Sequence, residues 1–347
     1  MTTHGEFYGH SLRTQKKLEF DAPCLLCFLQ KCNEQSINSH TISKNCLTAI
    51  AHKGHVVTPT PVVATEKTNE TTRFKQRGLK RSSTYRGFCS SHDDGLFKKI
   101  DQFEEKIDID SICKYFLRSL GQEYQKKIKA FATLDSIKIF DSNFQDDTLH
   151  QYEIDGQKMG AQLLWKQFEE IYPAIENKDY SNFRFLIIEF DQLFPFAYLG
   201  SYSHELEFME IELGDNNPTK CRASVMGFVP TKKGSTFFMG WHKEYTKFIP
   251  RFLNALATTR GAVPEFLFQY GMALTENIFL DPLWYHNIGK EKRGVTEAYF
   301  RDTTRAYPNY AHRPFAELFS NTVYKLKLET NAMKVRMWKK KNNFTNF

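Results

Sequence analysis

The chain has no run of about 18 uninterrupted apolar residues, the length a membrane-spanning helix requires, so no membrane span is expected. Residues 1–17 are polar and lack the apolar core of a signal peptide, which argues against secretion. There is no G-x-x-x-x-G-K-[S/T], no G-x-G-x-x-G and no H-E-x-x-H, which leaves ATP hydrolysis and dinucleotide chemistry without support. Internal repeats are missing as well. The seven cysteines are odd in number and unevenly placed, a poor disulfide framework and a better fit to a reducing compartment, so a cytoplasmic address is expected.

Acidic residues are missing where cations gather. Of the chain's 47 Lys/Arg and 40 Asp/Glu, residues 1–90 hold 13 and 6, which leaves 34 of each for residues 91–347. The whole formal excess of +7 therefore belongs to the N-terminal quarter. Within it Arg73, Lys75, Arg77, Lys80, Arg81 and Arg86 fall between Glu70 and Asp93 with no carboxylate among them. Such a cluster is the electrostatic footprint of a phosphate-binding surface, though a solvated basic loop has the same composition.

What the sequence has in abundance is aromatic residues, 15% of a chain of 347, enough to bury a sizeable core. Residues 1–21 read as a polar, basic arm. Residues 22–100 read as a small module poor in core residues, with a short helix near Ser43–His52 and a polar insertion or exposed hairpin over 57–72. From Gly95 the pattern changes. Leu96, Ile100, Phe103 and Ile107 share one helical face; Ile112, Tyr115, Phe116 and Leu120 share a second; Met159–Ile175 forms another. Strand-like runs follow over Phe183–Phe190, Phe196–Tyr202, Leu206–Leu213, Cys221–Pro230 and Ser235–Trp241, with turns at Gly214–Asn217 and Lys232–Gly234 as expected of an antiparallel meander. Helices are expected near Tyr245–Ala257 and Pro264–Leu274, and Phe300–Lys341 is helical in character. Glu276–Tyr285 has the carboxylates and aromatics to line a pocket, with Asp281-Pro282 as a turn. The fold class is α+β: a larger domain over 101–347, of unassigned role, with an antiparallel sheet flanked by helices.

A module short of core needs a staple. Cys24-Leu25-Leu26-Cys27 is a C-x2-C pair, and Cys89-Ser90-Ser91-His92 is a C-x2-H pair. A two-residue spacer lets both side chains of a tight turn face one ion, and two such pairs supply the tetrahedral N/S set that structural Zn2+ prefers. Cys32, Cys46 and Cys113 have no partner at a ligand spacing and are expected as packing thiols, with Cys221 in a strand.

Between the pairs lies Ser39-His40-Thr41-Ile42-Ser43. This arrangement resembles the HNH nucleases, whose treble-clef-like ββα-metal module is often zinc-stapled. Their pattern is C-x2-C, an acidic residue and His, x2-Pro, then C-x2-C followed directly by His. The resemblance covers residues 22–100. It implies that His40 is the general base and that Asp93, directly after His92, is a ligand of a catalytic Mg2+ or Mn2+. The chain departs from the pattern at Ser39 for the acidic residue, at Ser43 for proline, and in the length of the gap from His40 to Cys89. Asn45 and Asn69 are the asparagines available in that gap. The residues around Ser39–Lys44 and Gly87–Phe97 also resemble bacterial accessory and defence-island proteins, which implies a place in anti-phage defence.

The expected function is metal-dependent hydrolysis of nucleic-acid phosphodiesters, with the cations from Arg73 to Arg86 gripping phosphate. The alternative is a non-catalytic, zinc-stapled regulatory protein that binds nucleic acid or a protein, with a protein partner or self-association through the C-terminal domain.

Overall fold

A computed structural model describes residues 10–11, 13–18, 22–30, 32–61, 72–140, 147–203, 222–257, 259, 262–303, 318–319 and 322–332. The largest unit is an eight-stranded sheet in the order β10-β5-β8-β7-β6-β9-β2-β3, antiparallel at each registered pair. Its strands are β2 (His55–Pro61), β3 (Thr72–Gly78), β5 (Phe183–Phe190), β6 (Phe196–Ser203), β7 (Ala223–Thr231), β8 (Gly234–His242), β9 (Ile278–Leu280) and β10 (Leu326–Thr330). A second, two-stranded sheet pairs β1 (Asn38–His40) with β4 (Thr84–Arg86).

Alternation along the strands sends side chains to two cores. On β8, Phe238 points to one face and Phe237, Met239 and Trp241 to the other; on β6, Ala197 and Leu199 oppose Phe196 and Tyr198. Because both faces are covered, β7 is buried along its whole length. One face carries α4 (Ile109–Phe140) and α5 (Thr148–Glu176), long helices that meet at the Tyr124–Trp165 ring pair. The other carries α6 (Ile249–Ala257), α7 (Val263–Leu274), α8 (Pro282–Asn287) and α9 (Gly289–Thr303). Asp281 caps α8 by accepting from the Leu283 and Trp284 N–H groups. The chain is therefore α+β, an antiparallel sheet flanked by helices. Among the described residues no helix is long and apolar enough to cross a membrane.

Three sequence expectations change. The helix that carries Leu96 and Ile100 ends at Asp101, so Phe103, at φ +60°, and Ile107 lie beyond it. Within Phe300–Lys341, residues Leu326–Thr330 form strand β10 rather than helix, in register with β5 from Leu326 opposite Phe190 to Thr330 opposite Leu186. Leu326 and Leu328 pack on the second core while Lys327 and Glu329 pair with Glu189 and Lys106, a period of two in a segment too short to outvote its surroundings. Of the two readings of 57–72, an insertion or an exposed hairpin, the antiparallel pairing of β2 with β3 fits the second, but Val57 is buried and the pair extends the main sheet; 62–71 lie outside the described residues. The expected strand Leu206–Leu213 and the basic run Lys339–Lys341 lie outside them too.

Residues on both sides of position 100 share one apolar cluster, from Leu25 and Phe88 to Leu117, Leu120 and Phe168. Where the two parts meet, α4 comes so near the Cys24 turn that a Cβ on Gly121 would lie 2.8 Å from Leu25 Cδ1 and 3.0 Å from the Tyr85 hydroxyl. Of the N-terminal arm, residues 13–18 are helical, and His10 stacks on Phe140 at the far end of α4.

Candidate metal centre and the polar cluster beside it

The Cys24–Cys27 turn closes through the Cys27 N–H donating to the Cys24 carbonyl at 2.9 Å and leads into a helical turn, α1 (Cys27–Gln30). That turn reverses the chain, and Cys32 returns beside Cys24. Opposite it, Cys89 is the N-cap residue of α3 (Ser90–Asp101), which places His92 in the first turn of that helix. Backbone bonds from Leu25 N–H to the Gly87 carbonyl (2.8 Å) and from Ile37 N–H to the Phe88 carbonyl (2.7 Å) tie the two turns together.

The outcome is a group of Cys24, Cys32, Cys89 and His92 whose ligand atoms all lie within 4.8 Å of one another, a set able to bind a metal ion such as zinc. His92 Nδ1 is 3.4 Å from Cys24 Sγ and 3.2 Å from Cys89 Sγ, and the Cys32 and Cys89 sulfurs are 3.8 Å apart. A tetrahedron with Zn–S of about 2.3 Å and Zn–N of about 2.0–2.1 Å has S···S edges of about 3.8 Å and S···N edges of about 3.5 Å. Burial pushes the Cys89 thiol up to about 12, and the Cys24 and Cys32 sulfurs add to that push. Without a cation these buried sulfurs stay protonated, and a divalent ion reverses the shift by stabilising the thiolates.

Three of these residues are those the two sequence pairs supply. The fourth corner is Cys32, where the C-x2-C spacing points to Cys27. The Cys27 sulfur instead turns toward the Glu34 carbonyl at 3.7 Å. Chemistry separates the two thiols further: the Glu34 N–H holds Cys32 below the ordinary thiol range, whereas burial raises Cys27. We therefore expect Cys32→Ser to lose most of the bound metal and Cys27→Ser to keep close to one equivalent, as read by elemental analysis of the purified variants. Metal kept by Cys32→Ser and lost by Cys27→Ser would remove Cys32 from the fourth corner. Cys46 and Cys113 are buried packing thiols, with burial pushing Cys46 up to about 11. Cys221 lies outside the described residues.

One residue beyond His92 the chemistry changes from sulfur to oxygen. His40, at the end of β1, and Asp93, on α3, face a buried polar cluster completed by Arg118 of α4, Asp101 of α3, and Tyr85 of β4. Arg118 is fully buried, donates to both Asp101 oxygens at 2.6 and 2.8 Å, lies 3.6 Å from Asp93 Oδ2, and covers the Phe97 ring at 4.2 Å. His40 Nε2 and Asp93 Oδ1 are buried without a hydrogen-bond partner. Burial lowers the His40 imidazole and the Arg118 charge adds to it; burial raises the Asp93 carboxyl in spite of Arg118. Asn45 donates to the Asp101 carbonyl, and Asn69 lies outside the described residues.

The cations separate by element. Arg73, Lys75 and Arg77 alternate along β3 and are exposed on one side of this edge strand; Lys80 and Arg81 are exposed on the turn after it. Arg86 is half-buried and donates to the Ser36 carbonyl, a structural role. Arg77 and Arg81 also line a cleft of about 240 Å3 whose far wall is Gln122, Lys126, Glu276 and Asn277.

Sequence reasoning passed over Arg118, Asp101 and Cys32. Arg118 had a signal: an arginine inside the apolar run Ile112–Leu120 is stable there only if a carboxylate meets it. Cys32 had none, because its place depends on the reversal at Cys27–Gln30. Comparison of the chain with known protein families, with curated proteins and with solved structures gives no match.

Proposed function

We propose that this chain is a zinc-stapled nucleic-acid-binding protein whose binding surface is the basic edge of β3 and the turn that follows. The observation that carries the reading is the placement of five exposed cations, Arg73, Lys75, Arg77, Lys80 and Arg81, on one continuous edge with no carboxylate in that stretch of chain. Edge-strand cations also block unwanted strand pairing, but that need is met by one or two charges. A row of this length suits the phosphate spacing of a strand or duplex. The Cys24, Cys32, Cys89 and His92 ligands hold Zn2+ in a structural role and fix the β1–β4 pair against α3.

The test is the salt dependence of binding to a short duplex and to a single strand. Every duplex phosphate that the protein neutralises adds about 0.9 to the slope of log K against log salt, so Arg77→Ala/Lys80→Ala/Arg81→Ala is expected to flatten it by between about two and three. A slope unchanged in the triple variant, or a wild-type chain that binds no nucleic acid at low salt, overturns the reading.

A hydrolytic HNH-like activity is the second reading. Its support is the order β1, β4, α3, with His40 and Asp93 converging from strand and helix and each holding an orphaned polar atom. Against it stands Arg118. Its guanidinium already neutralises Asp101 and lies beside Asp93, so a Mg2+ or Mn2+ ion does not fit among these carboxylates without displacing it. The His40 Nε2 atom is also closed to water in this conformation. If the wild type nicks DNA or RNA, His40→Ala is expected to abolish cleavage while zinc content and melting stay at wild-type values. A wild type inert across Mg2+ and Mn2+ ends this reading and leaves binding intact. A place in anti-phage defence rests on the sequence resemblance alone.

A further inference from the structure

The cleft between the basic edge and α4 is a built site rather than a gap. β9 meets β2 at a single registered pair, Val57 opposite Leu280, and the strand beyond it is held by the Thr58 hydroxyl donating to the Ile278 carbonyl at 2.8 Å. Pro59, which has no N–H to give a neighbour, follows directly, and the sheet opens there. The back wall is fixed by Asn277, whose Nδ2 donates to the Thr41 hydroxyl at 2.7 Å and to the Leu199 carbonyl at 3.0 Å. Thr41 in turn is bonded to Ser83, and both are buried. The segment that follows His40 therefore stiffens this cleft.

Two features of the lining point to a ligand. Three cations, Arg77, Arg81 and Lys126, converge on it against a single lining carboxylate, Glu276, and among the described residues no carboxylate pairs with Arg77 or Arg81. Lys126 is shared between Glu123 at 2.8 Å and Glu276 at 3.4 Å, an arrangement a stronger anion can reorganise. Independently, Gln122 is 8% exposed, lines the cleft, and has its buried Oε1 without a partner. That oxygen is closed to solvent in this conformation, so a ligand's donor meets it only when the Gln122 side chain turns toward the cleft, and a bare phosphate dianion offers no such donor. A ligand that satisfies both features carries an anion for the cations and a hydroxyl or amino group for Gln122.

We infer that the cleft binds a nucleotide phosphomonoester: the phosphate meets Arg77, Arg81 and Lys126, and a sugar hydroxyl or base amino group donates to Gln122. The same chemistry is presented by a free mononucleotide and by the 5′-phosphorylated end of a strand. At about 240 Å3 the cleft lies below the usual small-molecule range of about 300–1,000 Å3, so it takes the phosphate and part of one such unit, with the rest in its open mouth, and not a duplex. This inference shares Arg77 and Arg81 with the nucleic-acid reading but does not depend on it, since Gln122 and Lys126 lie off the basic edge.

The experiment measures binding of the full-length chain to three probes: a mixture of the four nucleoside 5′-monophosphates, a 5′-phosphorylated oligonucleotide, and the same oligonucleotide with a 5′-hydroxyl. At least one phosphorylated probe is expected to bind, the oligonucleotide more tightly with its 5′-phosphate than without. Lys126→Ala is expected to weaken phosphomonoester binding about tenfold or more, and Gln122→Glu, which sets a carboxylate against the ligand, by more than that. Lys166→Ala, an exposed cation of α5 away from both the lining and the basic edge, is expected to leave mononucleotide binding unchanged, and each variant's melting curve reports whether it is folded. Mononucleotide binding without binding of the 5′-hydroxyl strand upholds the cleft and overturns the nucleic-acid surface. Strand binding that ignores the 5′-phosphate, with no mononucleotide bound, upholds the surface and overturns the cleft. Phosphomonoester binding that folded Lys126→Ala and Gln122→Glu variants both retain overturns it as well.

Discussion

Cys89→Ser is expected to take bound zinc from about one equivalent to near none and to lower the melting temperature by on the order of 10 °C. Cys89 stands in three places at once: it belongs to the group able to hold a metal ion, it is the N-cap residue that starts α3, and it is buried in the core beside Phe88 and Leu25. Structural zinc contributes about 10–16 kcal/mol of apparent binding energy in small zinc modules, comparable to the whole stability of an ordinary domain at about 5–15 kcal/mol. A serine keeps the volume but not the thiolate, so the ion and most of that linkage are lost. Hydrogen exchange is the informative measurement. The backbone bonds joining the two metal turns, Leu25 to Gly87 and Ile37 to Phe88, are expected to lose protection first, while β5, β7 and β8 keep theirs. Chelation of the wild type under reducing conditions should reproduce the pattern. A metal-free Cys89→Ser chain with wild-type melting and exchange would show that no ion holds these turns.

Replacing Arg118 is the second large effect. Arg118→Met is expected to cost about 3–5 kcal/mol in denaturant unfolding, because it strands Asp93 and part of Asp101 without their counter-charge. The arginine side chain is fully buried, and the Asp93 and Asp101 side chains are 17% and 32% exposed, so water can reach Asp101 but serves Asp93 poorly. Adding Asp93→Asn is expected to recover part of the loss, since an amide does not need the guanidinium as a carboxylate does. A double variant no more stable than the single one would mean that the cost comes from poorer packing on Phe97 and not from charge. The same pair of variants probes the hydrolytic reading from a different side. If Arg118 excludes a divalent ion from Asp93, Arg118→Met in a folded protein should gain Mn2+ binding that the wild type lacks.

By itself the sequence settled whatever depends on short-range pattern. The runs Phe183–Phe190 and Phe196–Tyr202, rich in aromatic and aliphatic residues and bounded by turn formers, are strands, because such side chains suit a pleated sheet buried on both faces. The C-x2-C and C-x2-H spacings pointed to Cys24, Cys27, Cys89 and His92, and the group able to hold a metal contains three of the four, because tight turns orient their own side chains. The basic edge was visible as a stretch without carboxylates. Tertiary structure alone decided the rest. Cys32 reaches the metal group only because α1 reverses the chain, and β2 and β3 join the main sheet only because β9, more than two hundred residues later, offers Val57 a partner. Arg118 meets Asp93 and Asp101 where two helices cross. The cleft gathers Gln122 from α4, Asn277 from the loop before β9 and Arg81 from a turn. Each of these pairings is set by packing between distant segments, and no local spacing encodes a meeting whose two halves are fixed by different cores.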